Sequence, residues 1–300
     1  MTGLFFRLFK ITLLALAAFV PTTTMAQEGR PVPGAIGLQE SVTPIMDSIH
    51  AFHNGVLMWS VTAIVVLVLA LLLIIVVRFN RRANPVPAKF THNTVVEIIW
   101  TVAPILVLIV IAIPSFGVLT DQLTVPDGER KYLGANIFSW GEVDVPAPEL
   151  TVKATGYQWY WGYEYSDQDE AGFDSILMPE AERANAKPNQ PRLLAVDNEL
   201  VVPVDTTVRV LVTGADVIHA FAMPSFGIKI DAVPGRLNET WFNVRKTGLY
   251  YGQCSELCGK DHAYMPIAIR VVTKAEFATW VAALQAGDVS DANLTLAAIK

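Results

Sequence analysis

The chain has 300 residues, of which 52% are hydrophobic and only 17% charged. It is too apolar for a disordered segment and too weakly charged for an average soluble protein. The formal net charge of −6 argues against nucleic acid as a partner. That charge is divided unevenly: residues 1–119 carry 7 basic and 4 acidic side chains, residues 120–300 carry 15 and 24. Two cysteines, Cys254 and Cys258, exclude a disulfide-rich scaffold.

Arg7 and Lys10 precede an apolar run from Ile11 to Val20, and Thr24-Met25-Ala26 resembles a small-residue cleavage site. Residues 1–26 therefore read as a cleaved export signal, with Gln27 first in the mature chain. Val56 to Val77 and Ile98 to Leu119 are each 22 residues without a charge. At ~1.5 Å per residue each reaches ~33 Å, enough to cross a bilayer core. Pro104 and Pro114 in the second run are tolerated in a membrane helix. The loop between them holds Arg78, Arg81, Arg82 and Lys89 and no acid, which places it on the cytoplasmic side and both outer ends of the hairpin across the membrane. Trp59 and Trp100 lie near helix ends, where indoles favour the interface. Glu97 stands directly before the second run. It is either an acid favoured by the helix dipole or a proton-entrance group at a membrane pathway.

From about Asp121 the apolar runs shorten, and Gly, Pro and Asn become frequent. Leu150 to Thr155, Leu200 to Val204, Thr207 to Val212, Glu239 to Val244 and Pro266 to Val272 read as short strands of a β-sandwich or barrel. Ala275 to Leu284 reads as a terminal amphipathic helix, and Tyr132 to Gly141 as a linker or cap. The tail from Gly287 carries no strong signal. The expected organisation is a segment with a transmembrane hairpin over residues 27–120 and an all-β domain over 121–300.

Cys254, Cys258, His262 and Met265 fall within twelve residues, and His219 lies earlier, after a predicted strand. Thiolate, imidazole and thioether are donors that copper selects. A mononuclear site with two His, one Cys and one Met leaves a cysteine over. Two thiolates bridging two coppers use both, with Met265 and a loop carbonyl, for which Glu256 is placed, as weak axial donors. A Cys254–Cys258 disulfide leaves His and Met unexplained, and a Cys₂His₂ zinc site leaves Met265 without a role. From Tyr157 to Tyr165 six of nine residues are aromatic, followed by Asp167, Asp169, Glu170 and Asp174. This stretch is either an exposed ring among carboxylates that docks a basic partner, or plain core beside an acidic loop.

These residues resemble subunit II of a bacterial cytochrome c oxidase of the aa3 type. The most specific stretches are Tyr250 to Gly259, His262 to Pro266, Asp231 to Asn238 and the Trp159 cluster. The resemblance implies a membrane-anchored, cupredoxin-like β-sandwich on a two-helix hairpin, in the bacterial inner membrane with the C-terminal domain in the periplasm. It implies a dinuclear CuA centre held by His219, Cys254, Cys258, His262, Met265 and the Glu256 carbonyl. It further implies a magnesium ion shared by the Glu256 side chain with subunit I, Trp159 as the residue where electrons enter, and Glu97 at the mouth of a proton channel. Asp197, Asp216 and Glu164 are the implied docking acids for cytochrome c. Ala215 departs from relatives that carry an acid there, which weakens the expected docking. A quinol oxidase subunit would lack the copper ligands, and a copper-delivery protein would have no need of Trp159. No C-x-x-C-H follows Met265, so the electron donor is expected to be a separate protein.

Overall fold

The computed structural model describes residues 29–86, 88–134 and 142–297. The expected export signal lies outside these. Helix α1, Pro44–Ala51, begins at Thr43, whose side chain accepts the Met46 N–H. A π-helical stretch, Phe52–Leu57, joins it to α2, Met58–Arg78. The first long helix thus starts at Pro44, twelve residues before the apolar run, because Ile45 and Met46 are buried against the outer domain rather than in lipid. Helix α3, Thr94–Leu123, likewise overruns the apolar segment at both ends. Asn93 caps its start by accepting the Val96 N–H. Both helices are long and apolar enough to cross a membrane, and their apolar windows are unburied within the chain.

Strands β1, Lys131–Tyr132, and β2, Val143–Asp144, pair with each other. The expected linker from Tyr132 therefore begins in a strand; its residues 135–141 lie outside the described ones. Ten further strands follow: β3, Leu150–Tyr157; β4, Tyr160–Tyr165; β5, Ala171–Ser175; β6, Leu200–Pro203; β7, Thr207–Gly214; β8, His219–Met223; β9, Ile228–Ala232; β10, Asn238–Asn243; β11, Gly248–Cys254; and β12, Pro266–Val272. They form two five-stranded sheets, ordered β10-β7-β3-β4-β5 and β6-β12-β11-β8-β9. In β3, burial alternates with period two, so one face meets the core and the other faces solvent. Val152, Trp161, Val210, Phe221, Trp241 and Ile269 are among the side chains buried between the sheets.

Helix α4, Glu180–Ala186, sits in the long β5–β6 connection. Helix α5, Lys274–Ala286, starts with a Thr273–Glu276 capping box and buries Trp280 against Tyr165, with ring centroids 5.4 Å apart. The tail that carries no sequence signal forms α6, Val289–Ala297, and buries Ala292.

The sandwich is tied to both membrane helices. Ahead of α1, the Gly29 carbonyl accepts the Tyr251 N–H at 2.8 Å, and Thr43 Oγ1 donates to the Phe226 carbonyl at 2.7 Å. At the exit of α3, buried Asp121 accepts from Arg130 at 2.9 Å and from the Leu133 N–H at 2.8 Å. The Asp121 carbonyl takes the Trp241 indole N–H at 2.8 Å.

Glu199, with a side chain only 5% exposed, is held by Lys187, Arg270 and Gln190. Burial pushes its carboxyl up, but the two cations and the amide outweigh it and hold the pKa below the ordinary 4.5. Its stabilisation is complete above 4.5 and is lost as pH falls through the lowered value. Glu199→Gln leaves two cations without their carboxylate. It is expected to cost about 3 kcal/mol and to flatten the acid limb of stability against pH in thermal unfolding of the purified chain.

Candidate metal centre

Three elements deliver the site. His219 opens β8, Cys254 closes β11, and the two strands pair through Gln253↔Ala222 and Cys254↔Phe221. The Ser255 N–H continues the contact, donating to the Ala220 carbonyl at 3.1 Å. The loop then carries Cys258 and a single 3₁₀ turn, His262–Tyr264, before Met265 leads into β12. His219 is fully buried; Cys254, Cys258 and Met265 are buried, His262 is half-buried, and Glu256 is exposed.

The two sulfurs are 3.7 Å apart. Around them stand His219 Nδ1, 3.9 Å from Cys254 Sγ, and His262 Nδ1, 3.6 Å from Cys258 Sγ. Met265 Sδ lies 3.5 Å from Cys258 Sγ, and the Glu256 carbonyl oxygen 3.3 Å from Cys254 Sγ. The donor atoms of His219, Cys254 and Cys258 all fall within 4.8 Å of one another. All six expected donors therefore converge. The cysteines are free thiols, so the disulfide alternative is not the state described. Two thiols at the centre, imidazoles beside them and a thioether with a carbonyl at the margin fit a soft metal ion.

The imidazole of His219 is oriented by Asp216. Its Nε2–H donates to Asp216 Oδ1 at 2.9 Å, so Nδ1 is the ring nitrogen that faces the sulfurs and the one that would offer its lone pair to a bound metal. Asp216 also accepts the N–H groups of Val217 at 2.7 Å and Gln158 at 2.8 Å. Burial raises the Asp216 carboxyl, but these three donors outweigh it and hold it below the usual range. Burial lowers His219, yet Cys254 and Asp216 outweigh it and raise its pKa. Burial also raises both thiols. For Cys254, hydrogen bonding with His219 and backbone N–H groups reverses the direction; for Cys258, the neighbouring Cys254 thiolate adds to the rise. Among these thiols one ionises readily and the second resists, until a cation compensates both.

The Gln158-Trp159 pair forms the two-residue turn between β3 and β4. The Trp159 indole N–H donates to the Cys258 carbonyl at 3.2 Å, and Gln158 Nε2 to the same oxygen at 2.8 Å. Trp159 is half-buried, and Gly259 carries φ +119° beneath it, where an added Cβ would lie 3.1 Å from the ring. Trp161, behind the site, donates to the Met265 carbonyl at 3.3 Å.

The expected docking acids occupy different settings. Glu164 faces Lys153 at 3.5 Å across the β3–β4 ladder. Exposed Asp197 accepts the N–H groups of Ile176 and Asn198, both at 2.7 Å. Asp216 instead holds the far nitrogen of the His219 imidazole, a contact not expected from the sequence although the acid stands three residues before His219. Ala215 gives its N–H to the Gly156 carbonyl at 2.9 Å. Far from this site, Glu97 lies in the first turn of α3 and accepts the Asn93 N–H at 3.2 Å.

Family comparison agrees along the chain. The family described as cytochrome C oxidase subunit II, periplasmic domain, matches residues 150–272, and cytochrome C oxidase subunit II, transmembrane domain, matches residues 31–118. A probable cytochrome c oxidase subunit 2 of Rickettsia bellii (strain RML369-C) is 47% identical over 288 residues, covering 96% of this chain and 97% of the relative. The cytochrome c oxidase subunit 2 of Cereibacter sphaeroides is 41% identical over 289 residues, covering 92% and 88%. The crystal structure of the periplasmic domain of subunit II of cytochrome oxidase of Bradyrhizobium japonicum is 63% identical, covers 47% of this chain and 97% of its own, and gives a TM-score of 0.43.

One glycine tests the packing of the site. A Cβ on Gly156 would stand 2.8 Å from His219 Cδ2, with no flexible side-chain end to yield. Gly156→Ala is expected to displace the imidazole and to cost about 1–3 kcal/mol by overpacking, read as a lowered Tm of the metal-free chain.

Proposed function

The chain belongs to the family of cytochrome c oxidase subunit II, a component of a haem-copper oxidase, and on that premise we propose that it receives single electrons from cytochrome c at a dinuclear copper centre and hands them to the haem centres of subunit I. The observation that carries this reading is the cluster of His219, Cys254 and Cys258 with Trp159 hydrogen-bonded to the Cys258 carbonyl. His219, Cys254, Cys258, His262, Met265 and the Glu256 carbonyl would hold two coppers, which would supply a one-electron relay.

The protein's own part is positional. Trp159 offers a half-buried ring on the outer side of the loop, and its N–H ends one hydrogen bond from the main chain of a ligand residue. Asp216 fixes the tautomer of His219 and accepts from the backbone beside Trp159, so one carboxylate ties the ring's turn to the ligand. Burial of His219, both cysteines and Met265 excludes water from the donors. Anchorage between β8, β11 and β12 keeps the loop from rearranging when charge changes. The exposed Glu256 carboxylate is the proposed ligand for a magnesium ion shared with subunit I. Glu97, at the start of α3, is the proposed mouth of a proton path serving subunit I, where oxygen is reduced and protons are pumped. The arginine-rich loop then faces the cytoplasm and the sandwich faces the periplasm.

Copper analysis of the purified chain is expected to give two ions per chain and a mixed-valence spectrum. Cys254→Ser and Cys258→Ser should each abolish that spectrum, since each removes a thiolate that would hold the coppers. One copper per chain, or a spectrum that survives either substitution, overturns the dinuclear reading.

Electron transfer separates two further roles. Trp159→Ala is expected to leave cytochrome c binding near normal and to make copper reduction very slow. Asp197→Asn should raise the apparent KM and flatten the salt dependence with kcat little changed, because long-range charge acts on encounter. Stopped-flow reduction at several ionic strengths checks both. Wild-type transfer rates in Trp159→Ala would return the aromatic cluster to a core role.

A further inference from the structure

The connection between the membrane helices is cationic and carries exposed apolar side chains. Arg78 ends α2, and Arg81, Arg82 and Lys89 follow in the loop before Thr94, with no acidic residue among residues 78–94. These four side chains are exposed, and none has an ion-pair partner among the described residues. Interleaved with them are exposed apolar side chains: Phe79 is 61% exposed, Val86 78% and Phe90 80%.

The turn that presents the arginines is built by one side chain. Asn80 Nδ2 donates to the Val76 and Val77 carbonyls at 3.0 and 2.9 Å, which satisfies the end of α2. Asn80 Oδ1 accepts the N–H groups of Arg82 and Ala83 at 2.9 and 3.0 Å. The helix terminus is thus satisfied without the arginines, and the backbone that carries Arg82 is held in place. On the other side, Asn93 and Glu97 satisfy the start of α3 between themselves. Neither helix end uses the loop cations.

We propose that this loop is a binding site for the head groups of anionic phospholipids, with Arg81, Arg82 and Lys89 on the phosphates and Phe79 and Phe90 in the interface below them. Charge complementarity selects the occupant: four uncompensated cations lie directly beside two apolar spans, at the depth where lipid phosphates sit. Guanidinium groups take phosphate oxygens in a bidentate manner, so arginine at 81 and 82 gives more than a point charge. Aromatic rings flanking the cations fit the same boundary. The proposal needs only that the hairpin spans the bilayer; it does not depend on copper, on electron transfer or on which side the loop faces.

The test uses the assembled oxidase in nanodiscs of phosphatidylcholine containing a minor fraction of phosphatidylglycerol. Lipid retained by the complex is measured by native mass spectrometry as a ratio of the two head groups. The wild type is expected to retain phosphatidylglycerol in excess of its bulk fraction and to lose that excess as salt rises. Arg81→Gln with Arg82→Gln should reduce the preference by at least roughly tenfold, whereas Arg81→Lys with Arg82→Lys should keep most of it. Inorganic phosphate at millimolar concentration should not displace the lipid, which separates a lipid site from a free-anion site. Equal preference in the wild type and the glutamine variant overturns the proposal, as does a preference indifferent to salt or abolished by phosphate. If the glutamine variant does not assemble, the salt and phosphate arms on the wild type and the lysine variant decide the matter.

Discussion

Everything at the metal centre depends on two sulfur atoms being held 3.7 Å apart without a bond between them. Two sulfurs at that separation repel when both are ionised; burial first, and then the Cys254 thiolate beside it, push the Cys258 thiol up. The fold bears this cost by fixing both residues from outside the loop. Cys254 is the last residue of a paired strand, so its backbone cannot withdraw. The Cys258 carbonyl is gripped by two donors from the β3–β4 turn, which belongs to the other sheet. The site is thus closed across the sandwich, and its geometry persists only while the two sheets stay in register.

The same logic extends to the membrane. The segment before α1 binds the sheet that carries Cys254, through Gly29 to Tyr251 and Thr43 to Phe226. The exit of α3 binds the opposite sheet, through Asp121 to Trp241. Both helices end in buried contacts rather than in tethers, so the height of the metal cluster above the hairpin is set by packing. The proposed relay of electrons to a membrane partner would require that, because transfer depends on distance more than on affinity.

The hairpin, five of the strands and the convergence of the six expected donors were legible in the sequence because each rests on local pattern: uncharged runs of spanning length, Val-, Ile- and Thr-rich runs between turn residues, and ligand types at short spacing. The strands β1, β2, β4, β5, β8, β9 and β11 were not named from the sequence. β1 and β2 are two residues each. β8 and β11 hold His219-Ala220-Phe221-Ala222-Met223 and Gly248 to Cys254, whose residues on both faces are largely buried, so alternation vanishes. The start of the first helix at Pro44 escaped as well, since its apolar face of Ile45 and Met46 is matched to the domain and carries too few residues to stand out beside the long run. Asp216 was visible as an acid but not as a neighbour of His219. A carboxylate three residues before a histidine has many uses, and only the β7–β8 turn brings this one against the ring.

That contact changes how the acidic surface must be understood. Asp216 accepts three hydrogen bonds, Asp197 accepts two backbone N–H groups, and Glu164 faces a lysine. None of the three is a free charge waiting for a partner. An ionised carboxylate that is hydrogen-bonded keeps its charge, however, and contributes to the field at distances where local bonds are invisible. With 24 acidic and 15 basic residues from position 120 onward, the outer domain carries −9. Attraction of any basic protein would then belong to the whole surface, screened within about 8–10 Å at physiological salt. Asp216 and the Trp159 turn share a hydrogen bond to the Gln158 N–H, so the carboxylate that orients the ligand also holds the turn that presents the ring. The acid expected to dock a partner and the ring proposed to receive its electron are thereby parts of one hydrogen-bonded unit.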